Sequence, residues 1–318
     1  MGLPNVYAAM SVSEGTLNIE RCPYTGLTKT YSADNYITDS GAAGTALATG
    51  TKTKNGSIGM DANGNPVKSI LEIAEEHGLA TGLVSTSSLT HATPASFIAH
   101  QPGRGSYEDI AADFLKTDID VFIGGGSDHF SKRKDNINLL DSLKIKGSEV
   151  DTTLSAVLQS GSMKLAGLTA PVHHPYRLKG RGNMLPEASA KAIEILSKNR
   201  KGFLLMVEGS QIDWAGHANA ADTLIDETLD FDKAVGVALD FAKADGHTLV
   251  IVTADHETGG VTITGGNSEK REVKLSFSSK GHTAVMIPVY AYGPGAEKFT
   301  GIYENTDIFR KMLEGFGF

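Results

Sequence analysis

Short apolar runs rich in β-branched residues alternate along this chain with amphipathic stretches of helical period. This alternation is typical of a parallel sheet that is covered by helices on both faces. The apolar runs predict strands at Thr81–Ser85, Val121–Ile123, Phe203–Val207, Thr248–Thr253 and Pro288–Ala291. The amphipathic stretches predict helices at Val67–Glu76, Ser106–Leu115, Pro186–Lys198, Asp222–Ala244 and Thr306–Leu313. We therefore predict an α/β fold of three layers, in which a mostly parallel central sheet lies between helices.

The alternation of predicted strands and helices continues along the whole chain, which contains no Pro- or Ser-rich linker, internal repeat or low-complexity tract. With 318 residues, 40% of them hydrophobic, the chain is long enough to bury the core of one large domain. We predict a single domain over residues 1–318. The region 131–174 is the most irregular part, and we expect it to be a peripheral insertion.

The net charge of −8 changes which partners we expect. It argues against a nucleic-acid surface and an anionic membrane surface, because either partner would require a cationic face. An anionic substrate would need a local source of positive charge. The single cysteine, Cys22, permits no internal disulfide. The chain shows neither an apolar run of membrane-spanning length nor a signal peptide.

A segment of small residues, Thr38–Ala46, places Ser40 at the predicted start of a helix. The unpaired backbone N–H groups there favour an anion such as phosphate. Asp39 can orient a cation that also binds the anion. Taken alone, the segment is explained better by an ordinary N-cap serine. The rest of the chain makes Ser40 a candidate nucleophile.

Polar groups that can bind a metal follow nearly every predicted strand. In open α/β sheets the ligand site lies at the carboxyl edge, so these groups are aimed at one place. Asp213 and His217 are four residues apart, which brings both to one face of a helical turn and suits a metal held by a carboxylate and an imidazole. The candidates are His91, Thr93, Glu208, Asp213, His217, Asp255, His256 and His282.

Each candidate has a structural explanation when taken alone, because an isolated buried Asp or His is usually satisfied by hydrogen bonds. Their joint position at predicted carboxyl edges, together with a serine at a helix start, favours a functional site. We expect the histidines in helix ends and loops to be solvated, namely His77, His129, His173, His174 and His247.

These segments resemble the alkaline phosphatase family. Thr38–Ala43, followed by Thr49–Gly56, is similar to the family's phosphoserine segment. His91-Ala92-Thr93-Pro94-Ala95, with Arg104 eleven residues after Thr93, resembles its next block. The segments Glu208–His217, Thr253–His256 and Gly281–Thr283 follow in the family's order.

The resemblance implies a phosphomonoester hydrolase with two zinc ions and one magnesium ion. It implies Ser40 as the nucleophile, Arg104 as the clamp on phosphate and Asp39 as the group that orients Arg104. The implied metal ligands are Asp213, His217 and His282 for one zinc, Asp255, His256 and Ser40 for the second, and Thr93 and Glu208 for magnesium. The resemblance also implies small phosphomonoester substrates with inorganic phosphate as product, a periplasmic or extracellular location and a homodimer.

The chain departs from the family in two respects. His91 and Trp214 stand where some members have an aspartate and a lysine, so a carboxylate near the magnesium and a cation near the phosphate are absent. The family also opens with an apolar strand that ends in Asp-Gly-Met-Gly, of which only Met1-Gly2 is present. The bridging aspartate of that strand is missing. We therefore expect an N-terminally truncated fragment with weak binding at the second and third metal sites and much reduced activity.

Two other classes of function remain open. Related metal-dependent folds cleave phosphodiesters or sulfate esters, or move phosphate within a sugar acid. The missing aspartate instead favours a catalytically impaired fragment, or a metal- or phosphate-binding protein without catalysis.

Overall fold

A parallel sheet of five strands lies at the centre of the computed structural model, which describes residues 1–318. Every neighbouring pair of its strands runs parallel. The strands that we predicted near Thr81, Val121 and Phe203 are confirmed in this sheet. In spatial order the five strands are β4 (Glu149–Asp151), β5 (Leu165–Ala170), β3 (Val121–Gly125), β2 (Ala80–Ser88) and β6 (Phe203–Glu208).

A second sheet contains the remaining two predicted strands and is mixed in direction. Its order is β13 (Gly301–Glu304), β1 (Tyr24–Lys29), β12 (Ile287–Tyr292) and β7 (Val250–Val252). Because β12 is antiparallel to both β1 and β7, these strands do not extend the parallel sheet as the alternation had suggested. Two small antiparallel pairs, β8 (Glu257–Thr258) with β11 (His282–Thr283) and β9 (Val261–Asn267) with β10 (Glu272–Phe277), complete the strands.

All five predicted helices are present, with ends that lie within a few residues of the predicted ones. None of the helices has the length and apolar character that crossing a membrane requires. The helices are α1 (Leu3–Val12), α2 (Ser40–Thr49), α3 (Ile70–Glu76), α4 (Ala92–Ala95), α5 (Tyr107–Asp113), α6 (Ser127–Ser131), α7 (Leu139–Ile145), α8 (Leu154–Gln159), α9 (Met184–Leu196), α10 (Gln211–His217), α11 (Ala221–Asp245) and α12 (Thr306–Phe316).

Alternate residues of the parallel sheet point into two separate cores. Leu83 and Phe122 belong to a core that includes α3 and α5. Val84 and Ile123 belong to a second core that includes α9. Successive residues of a strand point to opposite faces, so helices cover both faces of the sheet. This arrangement confirms the three-layer α/β fold.

Part of the region 131–174 differs from the peripheral insertion that we expected. Its strands β4 and β5 are integral to the parallel sheet, and Leu165 and Ala166 are fully buried. The segment Leu165–Ala170 contains no run of β-branched residues, and Gly167 interrupts its apolar character. It therefore lacks the pattern by which a strand is predicted from sequence.

Candidate active site

Side chains that are distant in sequence converge at the carboxyl edge of the parallel sheet, where such folds bind their ligands. Glu208 ends β6, Thr93 lies in α4 just after β2, and Asp255 follows β7. These three residues line one cavity together with Ser40 and Asp213. The structure thus brings together candidates that are far apart in sequence, such as Ser40 and His256, which are separated by 216 positions.

Ser40 is held at the start of a helix that packs unusually close to its neighbours. All ten residues of α2 are buried. A Cβ atom at Gly44 would lie 2.8 Å from Ser96 Oγ and 3.1 Å from Ser96 Cβ, so only glycine permits this approach. The N-cap is Asp39, whose Oδ1 accepts hydrogen bonds from the N–H groups of Ala42 at 2.9 Å and Gly56 at 3.0 Å.

Asp39 also binds the guanidinium group of Arg104. Arg104 Nη1 donates to Asp39 Oδ2 at 2.8 Å. Burial alone would raise the pKa of Asp39, but the hydrogen bonds from Ala42 N–H, Arg104 and Gly56 N–H outweigh burial and hold this pKa below its usual value. The side chain of Arg104 makes no other hydrogen bond within the protein. Its remaining N–H groups are therefore available to an anion near the start of α2.

A first cluster of metal-binding groups consists of Asp213, His217 and His282, whose ligand atoms all lie within 4.8 Å of one another. The Nδ1 atom of His217 contacts the carbonyl oxygen of Lys280 at 2.6 Å, and that of His282 contacts the carbonyl oxygen of Thr38 at 2.8 Å. A carbonyl only accepts hydrogen bonds, so both Nδ1 atoms carry the proton. The two Nε2 atoms lie 3.2 Å apart and face the same point as Asp213.

A second cluster joins Asp255, His256 and Ser40. His256 Nε2 lies 3.1 Å from Asp255 Oδ2 and 3.1 Å from Ser40 Oγ. Burial would raise the pKa of Asp255, but the charge and hydrogen bond of His256 outweigh it and hold the pKa far below its usual value. The His256 ring stacks on His282, with centroids 3.6 Å apart, so the two clusters are adjacent.

A third group lies around Glu208. Its Oε2 atom accepts hydrogen bonds from Ser85 Oγ at 2.7 Å and Ser210 Oγ at 2.6 Å, while burial raises its pKa. His91 Nδ1 is buried without a hydrogen-bond partner, and burial lowers the pKa of His91 to about 4. An unpartnered buried nitrogen of this kind is costly unless a ligand or water satisfies it.

His91 has two aromatic neighbours, Trp214 and His173, and only the position of His173 differs from the prediction. Trp214 packs edge-on against His91 and His173, with ring centroids 5.7 Å and 4.6 Å away. The prediction that the loop histidines are solvated holds for His77 and His247 but is wrong for His129, His173 and His174, which are half-buried. His173 Nδ1, for example, accepts the Ser88 N–H at 3.0 Å. The loop that carries His173 folds back over the end of β2, which the sequence pattern does not indicate.

Hydroxyl groups that support the candidate ligands were not predicted. Thr258 Oγ1 donates to Asp213 Oδ1 and lies 3.2 Å from His256 Nδ1, so it touches both clusters. Ser85 and Ser210 hold Glu208. Isolated serines and threonines have no spacing that distinguishes them from other hydroxyls in the sequence. The only available signal was their position at strand ends.

Comparisons with known proteins identify the family to which this chain belongs. A family model described as alkaline phosphatase matches residues 5–273 and 266–316. Alkaline phosphatase 4 of Bacillus subtilis is 38% identical over 92% of this chain and 80% of its own length. Alkaline phosphatase of Escherichia coli K12 is 33% identical over 100% of this chain and 84% of its own length.

Solved structures extend the agreement to the fold. The alkaline phosphatase from the Antarctic bacterium TAB5 has a TM-score of 0.95 and 46% identity over 100% of this chain and 95% of that chain. The Thermus thermophilus alkaline phosphatase has a TM-score of 0.93 at 27% identity. Since the family model spans nearly the whole chain and relatives above 30% identity cover at least nine-tenths of it, this chain belongs to the alkaline phosphatase family and is a phosphomonoester hydrolase.

Proposed function

We propose that this enzyme transfers the phosphoryl group of a monoester to Ser40 and then hydrolyses the phosphoserine. The proposal rests mainly on the position of Ser40 at the start of α2. The preceding residue, Asp39, binds Arg104 and so places its guanidinium group near Ser40. Backbone N–H groups at a helix start and a guanidinium group both favour the phosphoryl oxygens.

The proposed reaction has two steps, and Ser40 and Arg104 take part in both. In the first step Ser40 Oγ forms a bond to phosphorus while the bond from phosphorus to the alcohol oxygen breaks. In the second step water attacks the phosphoserine, which releases inorganic phosphate and restores Ser40. Arg104, oriented by Asp39, would hold phosphoryl oxygens in both steps, because catalysis of phosphoryl transfer consists mainly of positioning and charge stabilisation.

The donor sets fit the metals that the resemblance implies. Asp213, His217 and His282 offer one carboxylate and two Nε2 lone pairs to one point, which suits zinc. Asp255 and His256, with Ser40, would hold a second zinc. Bound zinc would supply the positive charge that this acidic protein otherwise lacks and would stabilise the attacking and leaving oxygens. Each of the chain's own ligands is already oriented by a hydrogen bond to its neighbours.

We propose magnesium at Glu208 and Thr93. A TAB5 variant in which a histidine is replaced by aspartate has been solved with magnesium in its M3 site, which supports a magnesium position in relatives of this chain. Here Glu208 is the one carboxylate of the group, and His91 offers nitrogen, which magnesium takes less readily than oxygen. We also retain, as proposals from the resemblance, an extracytoplasmic location and a homodimer.

The experiment is hydrolysis of an aryl phosphate at alkaline pH with added zinc and magnesium. We expect Ser40→Ala to lower kcat by at least about a thousandfold, as loss of a catalytic nucleophile does elsewhere. Ser155→Ala, an exposed serine on α8, is the matched control and should retain full activity. Turnover that is equal in the wild type and Ser40→Ala would contradict the serine mechanism. No turnover in either protein would favour an impaired chain that only binds metal or phosphate.

A further inference from the structure

A buried carboxylate lies between the two metal clusters without belonging to either. Glu257 follows His256 in sequence and precedes Thr258, and only 2% of its surface is exposed. It forms no ion pair with a lysine, an arginine or a histidine. A buried carboxylate is unfavourable unless hydrogen bonds replace the water that it has lost. The hydrogen bonds of Glu257 therefore indicate which parts of the site it holds together.

The carboxylate of Glu257 closes the turn that follows β8. Its Oε1 atom accepts the N–H of Val261 at 2.9 Å, and its Oε2 atom accepts the N–H of Gly260 at 3.2 Å. Gly259 and Gly260 have φ angles of 98° and 57°, which residues other than glycine rarely adopt. The carboxylate therefore supplies the acceptors that hold this sharp turn closed.

Glu257 also connects β8 to β11. Its Oε2 atom accepts a hydrogen bond from the hydroxyl of Thr283, and the same two residues lie opposite each other in the antiparallel pair. Each of these strands has only two residues, so few backbone hydrogen bonds hold them together. Side-chain pairs across an antiparallel ladder contribute to its stability. The bond between Glu257 and Thr283 is therefore a main connection between the two strands.

The ladder of β8 and β11 carries groups from both metal clusters. Its second residue pair is Thr258 with His282. His282 belongs to the first cluster, whereas Thr258 donates to Asp213 and contacts His256 of the second cluster. A shift of one strand against the other would move His282 relative to His256, whose ring stacks on it with centroids 3.6 Å apart.

Helix α10, which carries Asp213 and His217, packs on the same ladder. A Cβ atom at Gly216 would lie 2.7 Å from the carbonyl oxygen of Thr258, so only glycine permits this approach. β8 thus contacts both α10 and β11, the two elements that bear the first cluster. It also follows directly after His256 of the second cluster. The position of β8 therefore determines how far apart the two clusters lie.

We propose that Glu257 is a positioning residue that sets the separation of the two zinc ions by holding β8 against β11. This inference rests on the proposed function, which places zinc at both clusters. Glu257 is not itself among the candidate metal ligands; it acts through Thr283 and the turn at Gly260. Two metals that stabilise the attacking and leaving oxygens of one reaction must keep a fixed spacing. An error in this spacing lowers kcat more than it weakens substrate binding.

The test uses two variants that preserve the size of the side chain. Thr283→Val removes the hydroxyl that binds Glu257 across the ladder. Glu257→Gln replaces one acceptor oxygen by an NH2 group, which faces an N–H donor of the turn whichever way the amide is oriented. Thr283→Ser retains the hydroxyl and is the conservative variant. Glu272→Gln, at an exposed position of β10, is the matched control.

Crystal structures of the zinc-loaded proteins give the distance between the two zinc ions from their anomalous scattering. We expect this distance to differ from that of the wild type by at least about 0.5 Å in Thr283→Val and Glu257→Gln, because the ions follow their ligands. We expect kcat for an aryl phosphate to fall by about 10- to 100-fold, with a smaller change in KM. Thr283→Ser and Glu272→Gln should show neither effect.

An unchanged zinc separation in Thr283→Val would overturn this inference, whatever its kcat, and would leave the serine mechanism intact. A wild type that binds fewer than two zinc ions would instead contradict the proposed function, and this inference with it. Thr283→Val keeps both hydrogen bonds of the turn, so the test stands even if Glu257→Gln does not fold.

Discussion

At the scale of single residues, the two imidazoles of the first cluster give the strongest argument for a bound cation. His217 and His282 each use Nδ1–H for a backbone carbonyl, which leaves both Nε2 atoms as acceptors only 3.2 Å apart. Two lone pairs repel each other at this distance unless a cation or proton lies between them. The carboxylate of Asp213 lies within 4.8 Å of both Nε2 atoms, and its negative charge favours a cation there.

Thr258 tests whether the hydroxyl groups around the clusters tune metal affinity. It donates to Asp213 and contacts His256, so Thr258→Val removes one orienting bond without changing the shape of the side chain. We expect zinc affinity, measured by chelator competition, to fall about 10- to 100-fold. Thr262→Val, on an exposed position of β9, is the control and should leave affinity unchanged. An unchanged affinity in Thr258→Val would mean that the ligands are oriented without it.

Asp39 tests the clamp on phosphate. In Asp39→Asn the charge that orients Arg104 is lost while the size of the side chain is preserved. Charge-assisted hydrogen bonds contribute about 1.5–3 kcal/mol, so we expect KM and the inhibition constant of inorganic phosphate to rise by roughly 10- to 100-fold. Steady-state kinetics with phosphate as competitive inhibitor measure both. A fall in kcat with unchanged phosphate inhibition would contradict this role.

At the scale of elements, the close packing of α2 determines where Ser40 lies. Gly44→Val would place side-chain atoms against Ser96 and near the backbone of Thr93. We expect a loss of about 1–3 kcal/mol in the free energy of unfolding and a lower kcat, because α2 must shift. Gly15→Val, at a position with open space around it, is the control for urea unfolding and activity. If Gly44→Val were both as stable and as active as the wild type, α2 would tolerate displacement and this account of its packing would be wrong.

The N-terminus of α3 provides a pH-dependent contact between elements. His100 forms a hydrogen bond with Glu72, and this bond raises the pKa of His100. Burial alone would raise the pKa of Glu72, but the hydrogen bonds from His100 and the Ser69 N–H outweigh burial and lower this pKa. A histidine whose pKa is raised in the folded state stabilises the fold at pH values below its pKa in the unfolded chain, and this stabilisation is lost as the pH rises. A glutamate whose pKa is lowered in the folded state stabilises the fold at pH values above its pKa in the unfolded chain. The pair therefore contributes fully between about pH 4.3 and about pH 6.5.

Urea unfolding of His100→Gln measures this contact. We expect a loss of about 0.5–1 kcal/mol at pH 6 and a smaller loss at pH 9. His247→Gln, an exposed histidine, should show neither loss. Equal losses for His100→Gln at both pH values would mean that the imidazole acts through packing and not through its charge.

Elements with strong periodicity could be predicted from the sequence, and weak ones could not. The run Leu249–Thr253 is continuously apolar and the stretch of α11 is amphipathic, and both elements were found. β1 and β5 lack runs of β-branched residues and were not predicted. The apolar run of β7 does not reveal that its neighbour β12 is antiparallel, so the second sheet was not foreseen. At the site, spacing identified Asp213 and His217 as a pair. The support from Thr258 could not be predicted, because it depends on contacts between segments 45 residues apart.

At the scale of the whole molecule, the first metal cluster ties together segments that are far apart in the chain. Asp213 and His217 lie in α10, whereas His282 lies in β11. A metal that binds only the folded state stabilises it by about 2.7 kcal/mol when its free concentration is 100-fold above Kd. We expect zinc to raise the free energy of unfolding of the wild type, measured by urea unfolding, by this amount and a chelator to reverse it. His217→Ala should lose most of the shift, and an equal shift in this variant would contradict the assignment.

The most direct test of the account is to trap the phosphorylated enzyme. The protein is incubated with zinc, magnesium and an aryl phosphate, quenched in acid, digested and mapped by mass spectrometry. We predict a phosphoryl group on the peptide that contains Ser40, and neither label nor turnover in Ser40→Ala. Turnover by the wild type without phosphate on Ser40, or turnover that survives in Ser40→Ala, would contradict the central claim.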